Sequence, residues 1–169
     1  MLHNTFCRRL AALVLTLAVA LSAVLPVFAV YPMPVQTATE TEAVYLFNAD
    51  TGKTILNQNA DQQKYVASLT KLMTALLLVE SGKDLNGEVT VPTALTQEFR
   101  DIQNANGTTM GLRIGETVRR IDLLNAMLIV SANDAASVIA YDVGGSVLDF
   151  VKQMNARAQE LGCTGTNFT

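Results

Sequence analysis

The sequence predicts a mixed α/β (α+β) protein in which helices outnumber strands. Apolar residues recur at helical spacing between residues 66 and 161, whereas β-branched and aromatic residues cluster around a turn between residues 43 and 57. The chain has 169 residues, half of them hydrophobic, so it is long enough for one domain with a buried core and too apolar for a disordered protein. We therefore expect a helical subdomain joined to a short hairpin.

The first 29 residues have the features of a secretory signal peptide. Arg8 and Arg9 precede an apolar run over residues 10–25, and the small residue Ala29 ends the segment. We expect cleavage after Ala29. The alternative is a retained membrane anchor, because the apolar run approaches the length that spans a bilayer. Both interpretations place the rest of the chain outside the cytoplasm.

The composition without this segment limits the possible chemistry. Loss of two arginines leaves 10 basic against 15 acidic residues, a net charge of −5, which argues against a nucleic-acid partner. His3 and Cys7 lie in the predicted signal peptide, so Cys163 has no intrachain partner for a disulfide. No histidine-based triad or zinc site can be built, and we expect no metal and no cofactor. Lysine or a carboxylate must serve as any catalytic base.

Residues 30–42 are expected to form an extended tether, because two prolines stand there among small polar residues. The domain proper is then expected to span residues 43–169. It opens with two short strands, 43–47 and 53–57, that flank a polar turn and form an antiparallel hairpin.

Helical segments occupy most of the remaining sequence. The first and third are strongly apolar and are expected to be buried on most sides. Glycines end several of them, and Ser146 with Asp149 forms a capping box at the last. The predicted elements are a helix at 66–80, an extended piece at 89–92, a helix at 93–100, a loop at 101–111, and helices at 118–130, 135–143 and 147–161.

Ser68 and Lys71 form a candidate catalytic pair in the first turn of the helix at 66–80. Residues three apart lie on the same helix face, so the two side chains can meet. Serine needs a neighbouring base to act as a nucleophile, and lysine can be that base when burial lowers its pKa. The alternative interpretation is that Ser68 simply caps the helix.

Ser131 and Asn133 form a second candidate group, at a corner between two helices. A hydroxyl there can relay a proton, and a carboxamide can orient an amide substrate through its donor and acceptor. The alternative is a capping box formed by Ser131 and Asp134. Ser-x-x-Lys and Ser-x-Asn each occur only once in the sequence, in this order and each at a helix start.

These two motifs belong to the signature of penicillin-binding proteins and class A β-lactamases. The chain resembles the low-molecular-mass D-alanyl-D-alanine carboxypeptidases over nearly all of residues 43–168. The similarity runs through ASLTKLMTALL, GETV with IDLLNAMLIVSANDAA, and FVKQMNARAQELGCTGTNF. It implies a β-lactamase/DD-peptidase-like fold, in which the hairpin is the N-terminal part of an antiparallel sheet.

The resemblance also implies a role for each candidate residue. Ser68 would be the acylated nucleophile and Lys71 its general base, Ser131 would relay a proton to the leaving group, and Asn133 would bind the peptide backbone of the substrate. The implied partners are peptidoglycan stem peptides ending in D-Ala-D-Ala, with β-lactam antibiotics as covalent inhibitors. The family needs no cofactor.

Three departures from the family pattern stand out. Val66 and Ala132 replace a more usual proline and glycine, and both changes are mild. The third motif, Lys-Thr-Gly, does not occur up to Thr169. In the family it lies on a strand of the sheet and helps to form the oxyanion hole. We therefore expect residues 43–169 to be a partial catalytic domain truncated before this motif, with the remaining strands, and any C-terminal segment for membrane association, missing.

Two other functions remain open at this stage. A β-lactamase shares the acylation step but needs a second, carboxylate-activated water for deacylation. A non-catalytic module would bind muropeptides without turning them over.

Overall fold

The computed structural model describes residues 42–169. The predicted signal peptide and all but the last residue of the predicted tether lie outside this part of the chain. Residues 43–169 form one unit. Its elements are β1 (Val44–Asn48), β2 (Lys53–Gln58), α1 (Thr70–Glu80), β3 (Glu88–Thr90), α2 (Thr96–Asn104), β4 (Thr117–Arg119), α3 (Arg120–Ile129), α4 (Asn133–Gly144) and α5 (Val147–Glu160).

The predicted hairpin is confirmed. β1 and β2 pair antiparallel, with an irregularity in register between Leu46 and Phe47. The turn closes through a bond from the Gly52 amide to the Asn48 carbonyl, and Gly52 has a φ of 68°, a conformation that glycine adopts without strain. Tyr45 and Phe47 stack their rings but remain about half exposed. The hairpin therefore presents apolar side chains to its surroundings.

A second antiparallel pair, β3 with β4, was only half predicted. Its first strand, Glu88–Thr90, overlaps the extended piece predicted at 89–92, but residues 117–119 form a strand where the sequence predicted the start of a helix. The amide of Val91 donates to the carbonyl of Glu116, and Thr90 pairs with Thr117. This pairing between distant residues decides the conformation of β4, and a local pattern cannot reveal it.

The five predicted helices are present, with shifted boundaries. Three of them begin two to four residues later than predicted, and 3₁₀ turns precede the first two; these are α1, α2 and α3, which begin at Thr70, Thr96 and Arg120. α2 continues to Asn104, so the prediction of a loop from residue 101 was wrong over its first four residues. A hydrogen bond from Gln97 to Asp101, one helical turn apart, favours this extension. α4 begins at Asn133, two residues before the predicted start, while α5 carries the predicted cap, with Ser146 Oγ accepting from the Asp149 amide.

The core is centred on α4 rather than on the most apolar helices. α4 is buried on most sides, since no residue of Asn133–Gly144 is exposed, whereas α1 and α3 each contribute only two buried residues. The expectation that α1 and α3 are buried on most sides was therefore wrong. The main buried cluster comprises Leu78, Val91, Leu95, Leu112, Leu123, Met127, Ala132, Ala135, Val138 and Ile139.

The outer faces of these two helices remain exposed. Leu69, Leu72 and Val79 are each more than half exposed along and just before α1, and Ile129 at the end of α3 is 79% exposed. Such an apolar surface differs from the polar exterior that an amphipathic helix normally presents. None of the helices within residues 42–169 is long and apolar enough to cross a bilayer.

A partly buried ion pair fixes α3 and α4 at the end away from the serines. Arg120 donates to both oxygens of Asp142, at 2.7 and 3.0 Å, and Lys83 adds a third contact at 3.3 Å. Burial opposes ionisation of Asp142, but the hydrogen bonds from Arg120 and Lys83 outweigh it and lower the pKa of the carboxyl. The turn after α1 is thereby tied to α4.

Candidate active site

Ser68 lies in a single 3₁₀ turn, Ala67–Leu69, directly before α1. Its side chain is exposed, so the hydroxyl can meet a substrate. The preceding residue, Ala67, has a φ of 48°, which is unfavourable for any residue with a Cβ atom. Strained backbone of this kind is concentrated at functional sites, where the surrounding structure maintains it.

Lys71 stands in the first turn of α1 and is partly buried. Its Nζ atom donates to Ser131 Oγ at 3.1 Å and to Asn133 Oδ1 at 2.8 Å. Burial lowers the pKa of the Lys71 ammonium, because a low-dielectric environment disfavours the charged form. At a given pH, a larger fraction of Lys71 is therefore in the neutral form that a general base requires than is the case for an exposed lysine.

Ser131 connects the two predicted motifs. It follows the end of α3 with a φ of 60°, and this left-handed conformation turns the chain toward α4. Its Oγ atom donates to Ser68 Oγ at 2.6 Å and accepts from Lys71. Within the described residues, the hydrogen-bonded path from Ser68 to Lys71 runs through Ser131.

The alternative capping box between Ser131 and Asp134 is not formed. α4 has Ala132 at its N-cap, without a side-chain cap. Ala132 is fully buried and has a φ of −61°, which suits any residue, so the family's glycine is not needed at this position. Asp134 has a different set of partners.

Asn133 is the first residue of α4 and is held from two sides. Its Oδ1 accepts from Lys71, and its backbone amide donates to the Thr108 carbonyl at 2.8 Å. The next residue, Asp134, is buried and accepts from the amides of residues 110–112. Asp134 was not among the predicted site residues, although an acidic residue directly after the Ser-x-Asn motif is visible in the sequence.

The structure therefore brings all four predicted site residues into one hydrogen-bonded chain, in the order Ser68, Ser131, Lys71, Asn133. An exposed hydroxyl at one end communicates through a second hydroxyl with an amine whose pKa is lowered. Ser–Lys arrangements of this type are known variants of the serine hydrolase triad. This geometry is of the kind found in the class of serine acyl-transfer enzymes that use a lysine as base.

Comparison with known proteins agrees with this class. The chain matches the D-alanyl-D-alanine carboxypeptidase family over residues 31–169 and belongs to it. It is 33% identical over 136 residues to D-alanyl-D-alanine carboxypeptidase DacF of Bacillus subtilis, covering 79% of this chain and 33% of the relative. It is likewise 33% identical over 136 residues to a D-alanyl-D-alanine endopeptidase of Pseudomonas aeruginosa, covering 80% and 42%. The chain thus spans less than half of the length of either.

Solved structures show the same relationship and confirm the predicted fold. The DD-transpeptidase of Streptomyces K15 superimposes with a TM-score of 0.68 at 30% identity, over 80% of this chain and 53% of that one. Penicillin binding protein 6B of Escherichia coli gives a TM-score of 0.67 at 28% identity, over 83% and 45%. The fold is that of the DD-peptidases, of which this chain contains about half.

Proposed function

We propose that this chain carries the acylating residues of a serine-type D-alanyl-D-alanine carboxypeptidase, which removes the terminal D-alanine from peptidoglycan stem peptides. The observation that carries the proposal is the hydrogen-bonded chain from Ser68 through Ser131 to Lys71. It supplies a nucleophile, a proton path and a base in one place. Membership of the carboxypeptidase family supports the choice of substrate.

In the first step, Ser68 Oγ attacks the carbonyl carbon of the penultimate D-alanine. Its proton moves to Ser131, whose own proton passes to the neutral amine of Lys71. This transfer requires each hydroxyl to rotate, because Ser131 donates to Ser68 in the resting arrangement. Hydroxyl rotation of this kind is easy, and the short oxygen–oxygen distance of 2.6 Å needs no movement of the backbone.

Collapse of the tetrahedral intermediate then breaks the peptide bond. The Lys71 ammonium returns the proton through Ser131 to the departing amine of D-alanine, leaving an ester on Ser68. Water, deprotonated by the again neutral Lys71, attacks this ester and releases the shortened peptide. Asn133 binds the backbone of the stem peptide through its carboxamide. A β-lactam would acylate Ser68 through the same attack and collapse, with its amide C–N bond broken, but the opened ring stays attached to the ester and hinders its hydrolysis.

The alternative enzymatic functions share the acyl-enzyme ester on the serine and differ in how this ester is formed or removed. The related proteins include an endopeptidase and a transpeptidase as well as carboxypeptidases. A β-lactamase would need a carboxylate to activate a second water. Membership of the carboxypeptidase family favours a peptidase over that alternative, and turnover of a β-lactam would distinguish the two.

The reaction can be tested by release of D-alanine from a peptide ending in D-Ala-D-Ala, using the full-length protein. Ser68→Ala should abolish release, whereas Ser81→Ala, at the other end of α1, should leave it unchanged. Release by Ser68→Ala at the wild-type rate would refute the proposal. Binding of the peptide without release by the wild type would favour the non-catalytic muropeptide-binding alternative.

The substrate class also implies export, because peptidoglycan lies outside the cytoplasmic membrane. We infer that residues 1–29 direct export and that the mature chain begins at Val30. Mass analysis of the exported protein should find this N-terminus. An intact Met1 on membrane-bound material would instead indicate a retained anchor. Any further membrane association would depend on a C-terminal segment after residue 169.

A further inference from the structure

Asp134 is a buried acidic residue whose side chain is fully hydrogen-bonded, and it does not belong to the hydrogen-bonded set Ser68, Ser131, Lys71 and Asn133. It is 2% exposed and accepts four hydrogen bonds from backbone amides. One oxygen accepts from Met110 and Ala135, and the other from Gly111 and Leu112, each at 2.9 to 3.0 Å. Both oxygens thus act only as acceptors, as in a carboxylate.

The segment that Asp134 holds, residues 107–112, contacts Asn133 at two further points. The Thr108 carbonyl accepts from the Asn133 backbone amide at 2.8 Å. Gly107 lies so close to the Asn133 carboxamide that a methyl group at Gly107 would stand 3.0 Å from Nδ2. The segment therefore limits how the carboxamide can turn, while its Oδ1 atom receives the bond from Lys71.

We propose that Asp134 is a positioning residue: by holding residues 107–112 against the start of α4, it fixes the Asn133 carboxamide and, through it, the Lys71 amine. The inference rests on the proposed function. Without Asp134, the amides of residues 110–112 lose the three hydrogen bonds that tie this segment to α4. The Asn133 carboxamide can then rotate. As a result, Lys71 loses one of its two hydrogen-bond acceptors. Misplacement of a catalytic group by about 1 Å can cost on the order of a hundred-fold in rate.

Asp134→Asn is the sharpest test, because it changes one atom type and keeps the shape. Each oxygen of Asp134 accepts two amides, so the new NH₂ group faces two donors whichever way the side chain turns. Asp142→Asn is the matched control, since it makes the same change in the same helix, about 12 Å along the axis, and breaks a partly buried ion pair.

Two quantities should be measured on the full-length protein. The first is the acylation rate constant at saturating fluorescent penicillin, which a reduced folded fraction does not change. The second is hydrogen exchange of the amides of residues 110–112. We expect Asp134→Asn to acylate on the order of ten- to a hundred-fold more slowly and to exchange these amides on the order of tenfold faster. Asp142→Asn should keep both values.

Gly107→Ala disturbs the same Asn133 carboxamide by adding a steric contact instead of removing hydrogen bonds. The three atoms nearest to the added methyl group are Asn133 Nδ2, Ile102 Cγ2 and the Ile102 carbonyl oxygen, at 3.0 to 3.1 Å, and the variant should also slow acylation. Gly165→Ala is its control, because there the nearest atom is the flexible end of Gln63.

The outcomes separate this inference from the proposed function. If penicillin acylates the wild type and Asp134→Asn equally fast, the positioning role is overturned and the proposed function remains intact. Unchanged exchange at residues 110–112 in Asp134→Asn would overturn it as well. Wild-type protein that penicillin does not acylate would refute the proposed function, and the inference with it.

Discussion

Ser131 Oγ lies 2.6 Å from Ser68 Oγ, although 63 residues separate them in the sequence. This contact requires the turn before α1 to dock against the corner between α3 and α4, and two residues of strained backbone, Ala67 and Ser131, stand on either side of it. Their conformations are unfavourable by about 1 to 2 kcal/mol each. Packing of α1 against α4 through the core supplies the compensating free energy.

Lys71→Arg should reduce acylation by a fluorescent penicillin by on the order of a hundred- to ten-thousand-fold, the usual contribution of a general base. The guanidinium keeps the positive charge but cannot lose its proton in a protein. Lys83→Arg makes the same change at the other end of α1 and should label normally. Normal labelling of Lys71→Arg would exclude lysine as the base.

The rate of acylation should rise with pH and level off once Lys71 is mostly neutral. Because burial lowers the pKa of Lys71, this plateau should be reached at a lower pH than for an ordinary lysine. Rates of penicillin acylation measured across neutral and alkaline pH give the profile directly. A rate that falls as pH rises through this range would contradict a neutral amine as base.

Asn133→Asp should move this profile to higher pH. A carboxylate in place of the amide oxygen, 2.8 Å from Nζ, stabilises the ammonium and raises the pKa of Lys71, so less neutral amine is present at pH 7. Asn86→Asp adds the same charge in the turn beyond α1 and serves as the control. An identical profile for both variants would show that Asn133 does not govern the protonation of Lys71.

Gly144→Ala should destabilise the fold by about 1 to 3 kcal/mol, the usual cost of overpacking. A methyl group there would stand 2.7 to 2.8 Å from Phe150 Cβ, Cα and N, and a backbone cannot yield as a flexible side chain can. Chemical denaturation of the full-length protein measures the change. Gly165→Ala should stay close to the wild type, and equal stabilities of the two variants would contradict the packing argument.

The exposed apolar surface predicts that residues 30–169, produced alone, aggregate and release no D-alanine. Leu72 and Val79 on α1, with Tyr45 and Phe47 on the hairpin, form apolar surface of a kind that folded proteins normally cover. A two-stranded hairpin is also marginal in water unless further strands cover it. Light scattering and thermal unfolding, compared with a longer form of the protein, test this. A monomeric, cooperatively melting and active short form would contradict it.

The sequence was sufficient where local rules decide the structure. The hairpin turn, the cap at Ser146 and the glycine after α4 follow from residue types at fixed positions, and all three are confirmed. The sequence was insufficient where contacts between distant segments decide the structure. β4 depends on pairing with β3, and the burial of α1 depends on which of its faces finds a partner.

The candidate site divides in the same way. Spacing along a helix indicated Ser68 and Lys71, and a helix corner indicated Ser131 and Asn133, but no local rule places one pair against the other. The resemblance to a family supplied that link. The proposed role of Asp134 could not be predicted, because its partners are the backbone amides of residues 110–112, which a sequence motif does not show.

The most direct measurement is peptide mass mapping of the full-length protein after incubation with benzylpenicillin. Acylation opens the β-lactam ring and loses no atoms, so the peptide that contains Ser68 should gain the mass of one intact penicillin. The same peptide from Ser68→Ala should gain nothing. A stable adduct on any other residue, or the same adduct mass in Ser68→Ala, would contradict the assignment of Ser68 as the nucleophile.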